Sequence, residues 1–162
     1  MDTNFLTKNE TKWGIGTDCS GGNDDYDMLE EMRAAILINN THSHGNLITP
    51  KEVFDISTRL NISRISLNTM KGTLEEGQPA DFISIEINNS RMQPLHDIVN
   101  NIVMCASSNE IKDVFVNGKE VLRNDQLVNL DEEKLIYEGT ETIDKIFKET
   151  GFTKRIQSGD FN

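Results

Sequence analysis

The sequence contains few of the residues that mark specialised protein classes. Its 162 residues include only two cysteines, three histidines and one tryptophan. Cys19 and Cys105 lie far apart and follow no metal-ligand spacing, which argues against a disulfide-rich secreted fold and favours a reducing cytoplasm. There is no run of about 18 apolar residues and no apolar core of signal-peptide length near the start. The sequence therefore predicts neither a membrane segment nor a membrane partner.

Basic residues are also scarce. The chain has 16 Lys and Arg against 27 Asp and Glu, a formal net charge of -11. Nucleic acid and anionic membranes would be repelled by most of such a surface, so neither is expected as a partner. The hydrophobic fraction of 36% still lies in the globular range. A chain of this length forms one ordinary domain or part of a larger one, and it is too short for a complete eight-fold barrel.

The stretch from Trp13 to Asp27 is the part of the sequence that most resembles a functional site. Residues 13–17 predict a short buried strand, which Asp18, a glycine pair and further acidic residues follow. Enzymes with barrels and open sheets keep catalytic groups at strand ends of this kind. Asp is also common in loops as an Asx turn. The pattern alone leaves the functional and structural interpretations of Asp18 about equal.

Two kinds of binding loop, for calcium and for a dinucleotide, can be tested against the residue spacing of this stretch. A calcium hand that starts at Asp18 needs Gly at 23 and Glu at 29, where the chain has Asn23 and Leu29. A dinucleotide loop that starts at Gly14 needs a third glycine at 19, where Cys19 stands. Both sites are therefore rejected.

The histidines offer weaker signals. His42 and His44 have the spacing of a metal-binding pair, but they lie in a polar segment that no apolar strand precedes, which favours solvent exposure. His96 and Asp97 form a dyad in outline only, because no nucleophile accompanies them and local turn chemistry explains such a pair more often.

Helices are predicted on both sides of the middle of the chain. Asp27 is expected to begin one that ends near Asn39 or Asn40, with a capping box formed by Glu30. Thr49, Pro50 and Glu52 give the strongest start signal, for a helix that continues to Leu60. A shorter helix is expected at 62–67. A last helix is expected to begin at Asp131 and to stop at Gly151.

Residues 78–130 predict a sheet. Residues 81–87 alternate with a period of two, which indicates a strand with one buried face. Residues 98–104 are a second β candidate. Asn117-Gly118 predicts the turn of a hairpin over residues 114–122, and Leu127 and Val128 add a short strand.

Several motifs in a fixed order carry a family resemblance over roughly residues 12–150. The chain resembles the amidohydrolase superfamily, in its chlorohydrolase and aminohydrolase branch, and is similar to methylthioadenosine and S-adenosylhomocysteine deaminases. The motifs are Gly14-Ile15-Gly16-Thr17-Asp18, residues 27–35, Thr49-Pro50, the glycine-rich turn at 72–82, residues 92–97 and residues 114–119.

The resemblance implies an α/β fold. Residues 1–75 are then the last strand and helices of a (β/α)8 TIM-type barrel that forms the metal-dependent hydrolase domain. Residues 76–130 are the C-terminal part of a small β-sandwich, residues 131–150 a C-terminal helix and residues 151–162 a tail.

The resemblance also implies that Asp18 is both the catalytic residue and a metal ligand. Zinc or iron is the implied metal of the complete enzyme, and a small-molecule amine, such as an aminopurine nucleoside or a related cyclic amidine, is the implied substrate. The family's histidine ligands are absent from the sequence, and a catalytic zinc needs three protein ligands. We therefore expect a fragment that is inactive alone, holds no metal tightly, and has an N-terminal fragment or a further copy of itself as partner. The alternative is a non-catalytic assembly or interaction module derived from such an enzyme.

Overall fold

The computed structural model describes residues 11–42, 47–60 and 72–151. The chain divides into two compact units, Met1–Gln126 and Leu127–Asn162. In the described ranges of the first unit, the helices are α1 at Ser20–Asn23, α2 at Met28–His42, α3 at Pro50–Ser57 and α4 at Ile98–Cys105. The strands are β1 at Phe82–Ile85, β2 at Ile111–Val116, β3 at Lys119–Arg123 and β4 at Gln126–Leu127. Helix α5, at Glu132–Thr150, lies in the second unit.

Helices α2 and α3 begin where the sequence predicts. The Asp27 carboxylate accepts hydrogen bonds from the backbone N–H groups of Leu29 at 2.8 Å and Glu30 at 3.3 Å, and α2 runs to His42. Thr49 caps α3 through a capping box with Glu52, and Pro50 is the first helical residue. Helix α3 ends at Ser57, so Leu60 is not part of it. The helix predicted at 62–67 lies outside the described residues.

The core of the first unit lies between α2, α3, α4 and the segment before α4. Val53, Met92 and Val103 have no exposed surface. The buried apolar residues are Leu29, Met32, Ile36, Ile48, Val53, Ile56, Met92, Val103 and Ala106. Burial of one fully enclosed side chain of this size stabilises a fold by about 1.5–3 kcal/mol, so this cluster holds the helices together.

The prediction of a strand at 98–104 is wrong, because these residues form helix α4. Asp97 caps the helix by accepting hydrogen bonds from the N–H groups of Val99 and Asn100, both at 3.0 Å. A short apolar run does not distinguish a strand from a helix by itself. The pair Asn100-Asn101 in the middle of this run is disfavoured in strands. Asn101 is buried in the structure, where its side-chain amide donates a hydrogen bond to the Met92 carbonyl oxygen at 2.8 Å.

The predicted strand at residues 13–17 is also not formed. Trp13, Ile15 and Thr17 are half-buried and alternate with exposed Gly14 and Gly16, which is the burial pattern of an extended chain. Trp13 and Ile15 pack against the core. These residues are extended, but they are not among the strands β1 to β4 that form the sheet of the described residues.

The four strands form one sheet in the order β1-β2-β3-β4, and β1 and β3 both pair antiparallel with β2. The predicted hairpin is confirmed: Asn117 at φ 49° and Gly118 at φ 73° form the two-residue turn between β2 and β3. The Ala80-Asp81 pair supports this turn, since the Ala80 carbonyl accepts from Gly118 N–H at 2.9 Å and the Asp81 carboxylate accepts from Asn117 N–H.

Strand β1 is shorter than predicted and its apolar face is not closed. Ile83 is 46% exposed, while Ile85 and Ile87 are half-buried. These three side chains line an open cavity of about 640 Å³ between β1 and the helices of the first unit. The alternation in the sequence marks one face of the strand, but nearby residues cover that face only in part.

Helix α5 begins and ends as predicted. The Asp131 carboxylate accepts from Lys134 N–H at 3.0 Å, and Gly151 follows the helix at φ 69°. Along the predicted apolar stripe, Ile136 and Ile143 are exposed and Phe147 is half-buried. No helix in the described ranges combines the length and the apolar character that crossing a bilayer requires.

Candidate functional site

Asp18 lies directly after the extended segment and before helix α1, with its side chain exposed. Its backbone is left-handed, at φ 62°. For a residue with a side chain this conformation costs on the order of 1 kcal/mol, and Asp tolerates it better than most. The carboxylate Oδ1 accepts a hydrogen bond from the N–H of Cys19 at 2.8 Å. Asp18 therefore makes a local hydrogen bond to the following backbone, as the structural interpretation predicts. Its second oxygen, Oδ2, is left for other contacts.

Helix α1 is a single turn that follows Asp18 immediately. The Cys19 carbonyl accepts from Gly22 N–H at 2.8 Å and from Asn23 N–H at 3.1 Å. Asp24 ends the turn with a left-handed backbone at φ 57°. The glycine pair thus belongs to a hydrogen-bonded turn that fixes the chain beside the Asp18 carboxylate.

The remaining acidic residues of this loop have local structural roles. Asp25 accepts from Asp27 N–H at 3.1 Å, and Asp27 caps α2. The Ser20 hydroxyl lies 2.6 Å from the Tyr26 hydroxyl, and this hydrogen bond lowers the pKa of the exposed Tyr26 phenol. Asp18 and Asp24 are therefore the acidic residues of the loop whose carboxylates neither cap a described helix nor accept a hydrogen bond from the acidic segment.

His42 and His96, the histidines that the structure describes, do not join Asp18 in a metal-binding cluster. His42 is the last residue of α2, and its Nδ1 lies 2.9 Å from the carbonyl oxygen of Ile38. His44 lies outside the described residues. His96 is exposed, and its neighbour Asp97 caps α4. The Asp97 carboxylate thus has a local structural role, as the sequence favours over a catalytic His-Asp dyad. Cys19 and Cys105 are both free thiols.

A complete metal site is not present in the described part of the chain. Among residues 11–42, 47–60 and 72–151, no three His, Cys, Asp or Glu side chains converge in a way that could hold a metal ion. Catalytic zinc takes three protein ligands and keeps an open position. Asp18 alone does not fit this requirement, so the described residues do not form a metal centre by themselves.

The described residues of the first unit line at least two open cavities, and Asp18 lines neither of these two. The larger, of about 640 Å³, is lined mainly by apolar side chains of α2, α3, α4 and β1. The smaller, of about 530 Å³, lies between the end of α3, the turn at 72–79 and strands β1 and β2. The sequence did not indicate either cavity. The isoleucines at 83, 85 and 87 are the available signal, but their alternation predicts a strand with one buried face and not a cavity.

Comparison with known proteins gives consistent matches. The amidohydrolase family profile matches residues 4–121. Two 5-methylthioadenosine/S-adenosylhomocysteine deaminases, from Bacillus cereus and Bacillus thuringiensis, are each 35% identical over 131 residues, which is 80% of this chain. The chain spans only 30% of the length of these curated relatives.

Solved structures show the same fold. An adenosine deaminase from Xanthomonas campestris with bound zinc superposes with a TM-score of 0.82 at 23% identity, over 88% of this chain and 33% of that one. An atrazine chlorohydrolase from Arthrobacter aurescens in complex with zinc gives 0.73 at 24% identity, over 83% and 30%. A guanine deaminase from E. coli gives 0.67 at 21% identity, over 76% and 30%. The resemblance inferred from the sequence motifs is confirmed.

Proposed function

The chain belongs to the amidohydrolase family, and we propose that it contributes the Asp18 carboxylate to a metal-dependent deaminase site whose remaining ligands lie outside its described residues. The observation that carries this proposal is the match of 80% of the chain to relatives named as deaminases. The exposed position of Asp18, with one oxygen free of local hydrogen bonds from the described residues, supports it.

The reaction proposed for the complete enzyme is the hydrolytic deamination of an aminopurine nucleoside or a related cyclic amidine. Water adds to the ring carbon, the C–N bond breaks, and ammonia leaves. Asp18 suits the proton transfers of this reaction, because a carboxylate can accept the proton of the attacking water and return it to the leaving amine. Zinc or iron is the proposed cofactor of the complete enzyme, and the zinc in two of the structural neighbours supports this choice.

We further propose that residues 1–75 form the end of the hydrolase barrel and residues 76–130 the C-terminal part of a β-sandwich. The placement of α2 and α3 in the first range, and of β1 to β4 in the second, supports this division. Residues 131–150 are the proposed C-terminal helix, which corresponds to α5, and residues 151–162 the proposed tail.

The proposal has a direct consequence for activity. Since one carboxylate cannot replace three ligands, the 162-residue chain alone should neither bind zinc stoichiometrically nor release ammonia. The proposed partner is a polypeptide that supplies the other ligands, either a separate N-terminal fragment or the preceding part of a longer chain. The alternative of a non-catalytic module receives no separate support from the relatives, which are named as enzymes.

The test is complementation. The purified chain is assayed for bound zinc and for ammonia release from 5-methylthioadenosine and S-adenosylhomocysteine. It is then co-expressed with the part of the Bacillus cereus relative that lies outside the match. We expect ammonia release only from the combination. Stoichiometric zinc and deamination by the chain alone would contradict the proposed dependence on other ligands. Failure of the combination to deaminate any aminopurine, although the two parts co-purify, would contradict the proposed reaction.

A further inference from the structure

The two oxygens of the Asp18 carboxylate have different surroundings. Oδ1 accepts the Cys19 N–H at 2.8 Å, which fixes the plane of the carboxylate against the start of α1. Oδ2 receives no hydrogen bond from the described residues, and it lies over the backbone of Gly22. A hydrogen bond on one oxygen leaves the other as the one available for a proton or a further contact.

Any side chain at position 22 would contact Oδ2 of Asp18, and Gly22 has none. A Cβ atom at Gly22 would lie 3.0 Å from Asp18 Oδ2 and 3.4 Å from its Cγ. The contact with Oδ2 is tighter than an ordinary van der Waals contact, so the carboxylate, at the end of its side chain, would have to move by a few tenths of an ångström. The Gly22 backbone cannot retreat freely, because its N–H donates to the Cys19 carbonyl at 2.8 Å.

Backbone conformation does not explain the glycine at this position. The glycines with positive φ in the described residues are Gly72, Gly77, Gly118 and Gly151. Gly22 lies in the helical turn α1, in a conformation open to any residue. A glycine within a helix costs about 1 kcal/mol relative to alanine, so a glycine here lowers local stability without a conformational need. Clearance for the carboxylate is the reason that the geometry offers at Gly22.

Gly21 offers a matched comparison in the same turn. A Cβ atom there would meet only the Cys19 Sγ, at 3.9 Å, which is an ordinary contact. Both glycines are exposed and both belong to α1. Replacing either with alanine adds the same methyl group to the same turn, and only the one at 22 approaches Asp18.

We propose that Gly22 is a positioning residue for Asp18: the absence of a side chain at 22 lets the carboxylate accept the Cys19 N–H through Oδ1 while Oδ2 lies over the Gly22 backbone, clear of hydrogen bonds from the described residues. This rests on the proposed function, in which Asp18 is the carboxylate of the site. A methyl group added at 22 would displace the carboxylate and weaken the hydrogen bond that it accepts from the Cys19 N–H. Gly22 therefore acts through Asp18 and does not touch the substrate itself.

The test uses the full 162-residue chain, labelled with ¹⁵N, and follows the Cys19 amide by NMR. Its chemical shift, temperature coefficient and hydrogen-exchange rate report the bond to Oδ1. We expect wild type and Gly21→Ala to show a hydrogen-bonded amide. Gly22→Ala should shift this amide toward the position seen in Asp18→Ala, which cannot form the bond, while amides of the core remain unchanged.

Two results would overturn the inference. One is a Cys19 amide in Gly22→Ala that matches Gly21→Ala in all three measurements. The other is a Cys19 amide that does not respond to Asp18→Ala, because the bond would then be absent. Since the readout is an amide signal and not ammonia release, the positioning role and the deaminase function can fail separately. In the complemented enzyme, Gly22→Ala should lower the rate while Gly21→Ala leaves it unchanged.

Discussion

The helical core and the loop around Asp18 are built in opposite ways. In the core, Val53, Met92 and Val103 have no exposed surface, and the helices around them begin at capped residues. In the loop, Asp18 and Asp24 are exposed and hold left-handed backbones. The loop is held by hydrogen bonds between residues close in sequence. Stability thus resides mainly in the core, while the loop carries backbone strain and the carboxylate that the proposed function uses.

If this separation is correct, truncation of a core side chain should produce the largest loss of stability. Met92→Ala leaves a cavity among α2, α3 and α4, and we expect the free energy of unfolding to fall by about 2–5 kcal/mol. Urea denaturation measures this, with the fluorescence of Trp13 as the signal, since Trp13 is the one tryptophan and packs against the core. Leu74→Ala is the control, because Leu74 is 72% exposed and should change stability by less than about 0.5 kcal/mol.

A buried polar contact should have the next largest effect. Asn101 donates to the Met92 carbonyl at 2.8 Å and to the Pro94 carbonyl at 3.3 Å. Asn101→Ala leaves these acceptors without their partner, which should cost about 1–3 kcal/mol by the same denaturation measurement. Asn100→Ala, at the exposed neighbouring position of the same helix, should be close to wild type. Equal losses from both variants would show that the buried contact of Asn101 does not set the effect, since Asn→Ala by itself favours a helix.

The cap of α3 should contribute about 1 kcal/mol. Thr49 accepts from Glu52 N–H through its hydroxyl, and Glu52 reaches back to Thr49 N–H at 2.8 Å. Thr49→Ala removes the hydroxyl and should destabilise the chain by this amount, whereas Thr49→Ser keeps the acceptor and should be nearly neutral. Thermal unfolding of the two variants would distinguish loss of the cap from loss of the methyl group.

A smaller effect is expected from pH at Glu110, beside the core. Burial raises the pKa of this carboxyl. Hydrogen bonds from Ser107 and the positive charges of Arg91 and Lys112 lower the pKa by more than burial raises it, so the net pKa lies below the ordinary value. A lowered folded-state pKa contributes stability above the unfolded pKa of about 4.3, and that stability is lost as pH falls through the folded value. The difference in unfolding free energy between wild type and Glu110→Gln should therefore shrink from pH 6 to pH 3. A constant difference would show that the pKa of Glu110 is not lowered in the folded state.

The smallest change in stability should come from the loop. Asn tolerates a left-handed backbone as well as Asp does, so Asp18→Asn should alter the free energy of unfolding by less than about 0.5 kcal/mol. A loss as large as that of Met92→Ala would mean that Asp18 is part of the folding core, and the contrast between the two regions would fail.

The sequence predicted those elements whose signals are local. Thr49, Asp27 and Asp131 cap helices by bonding to N–H groups two or three residues away, and Asn117-Gly118 closes a hairpin between adjacent strands. Such contacts can be derived from neighbouring residues alone.

The errors concern contacts between distant residues. Residues 13–17 were predicted as a strand, but whether a strand forms depends on a neighbouring segment, and residues 98–104 became helical around a buried Asn101. The motifs predicted the family correctly, and Asp18 stays a prediction as a site residue. The clearance at Gly22 was not predicted, because it depends on the distance between two atoms that only the folded turn brings together.

The central claim is that Asp18 is the carboxylate this chain contributes to a deaminase site. The most direct measurement is ammonia release from 5-methylthioadenosine by the complemented enzyme with Asp18→Asn, beside Asp24→Asn as the matched control. Asp24 is equally exposed and left-handed, but its side chain has no role in the proposed site. We predict that Asp18→Asn lowers the rate by about 100-fold or more, as expected for loss of a group that transfers protons, while Asp24→Asn leaves it unchanged. Equal rates for both variants would contradict the claim.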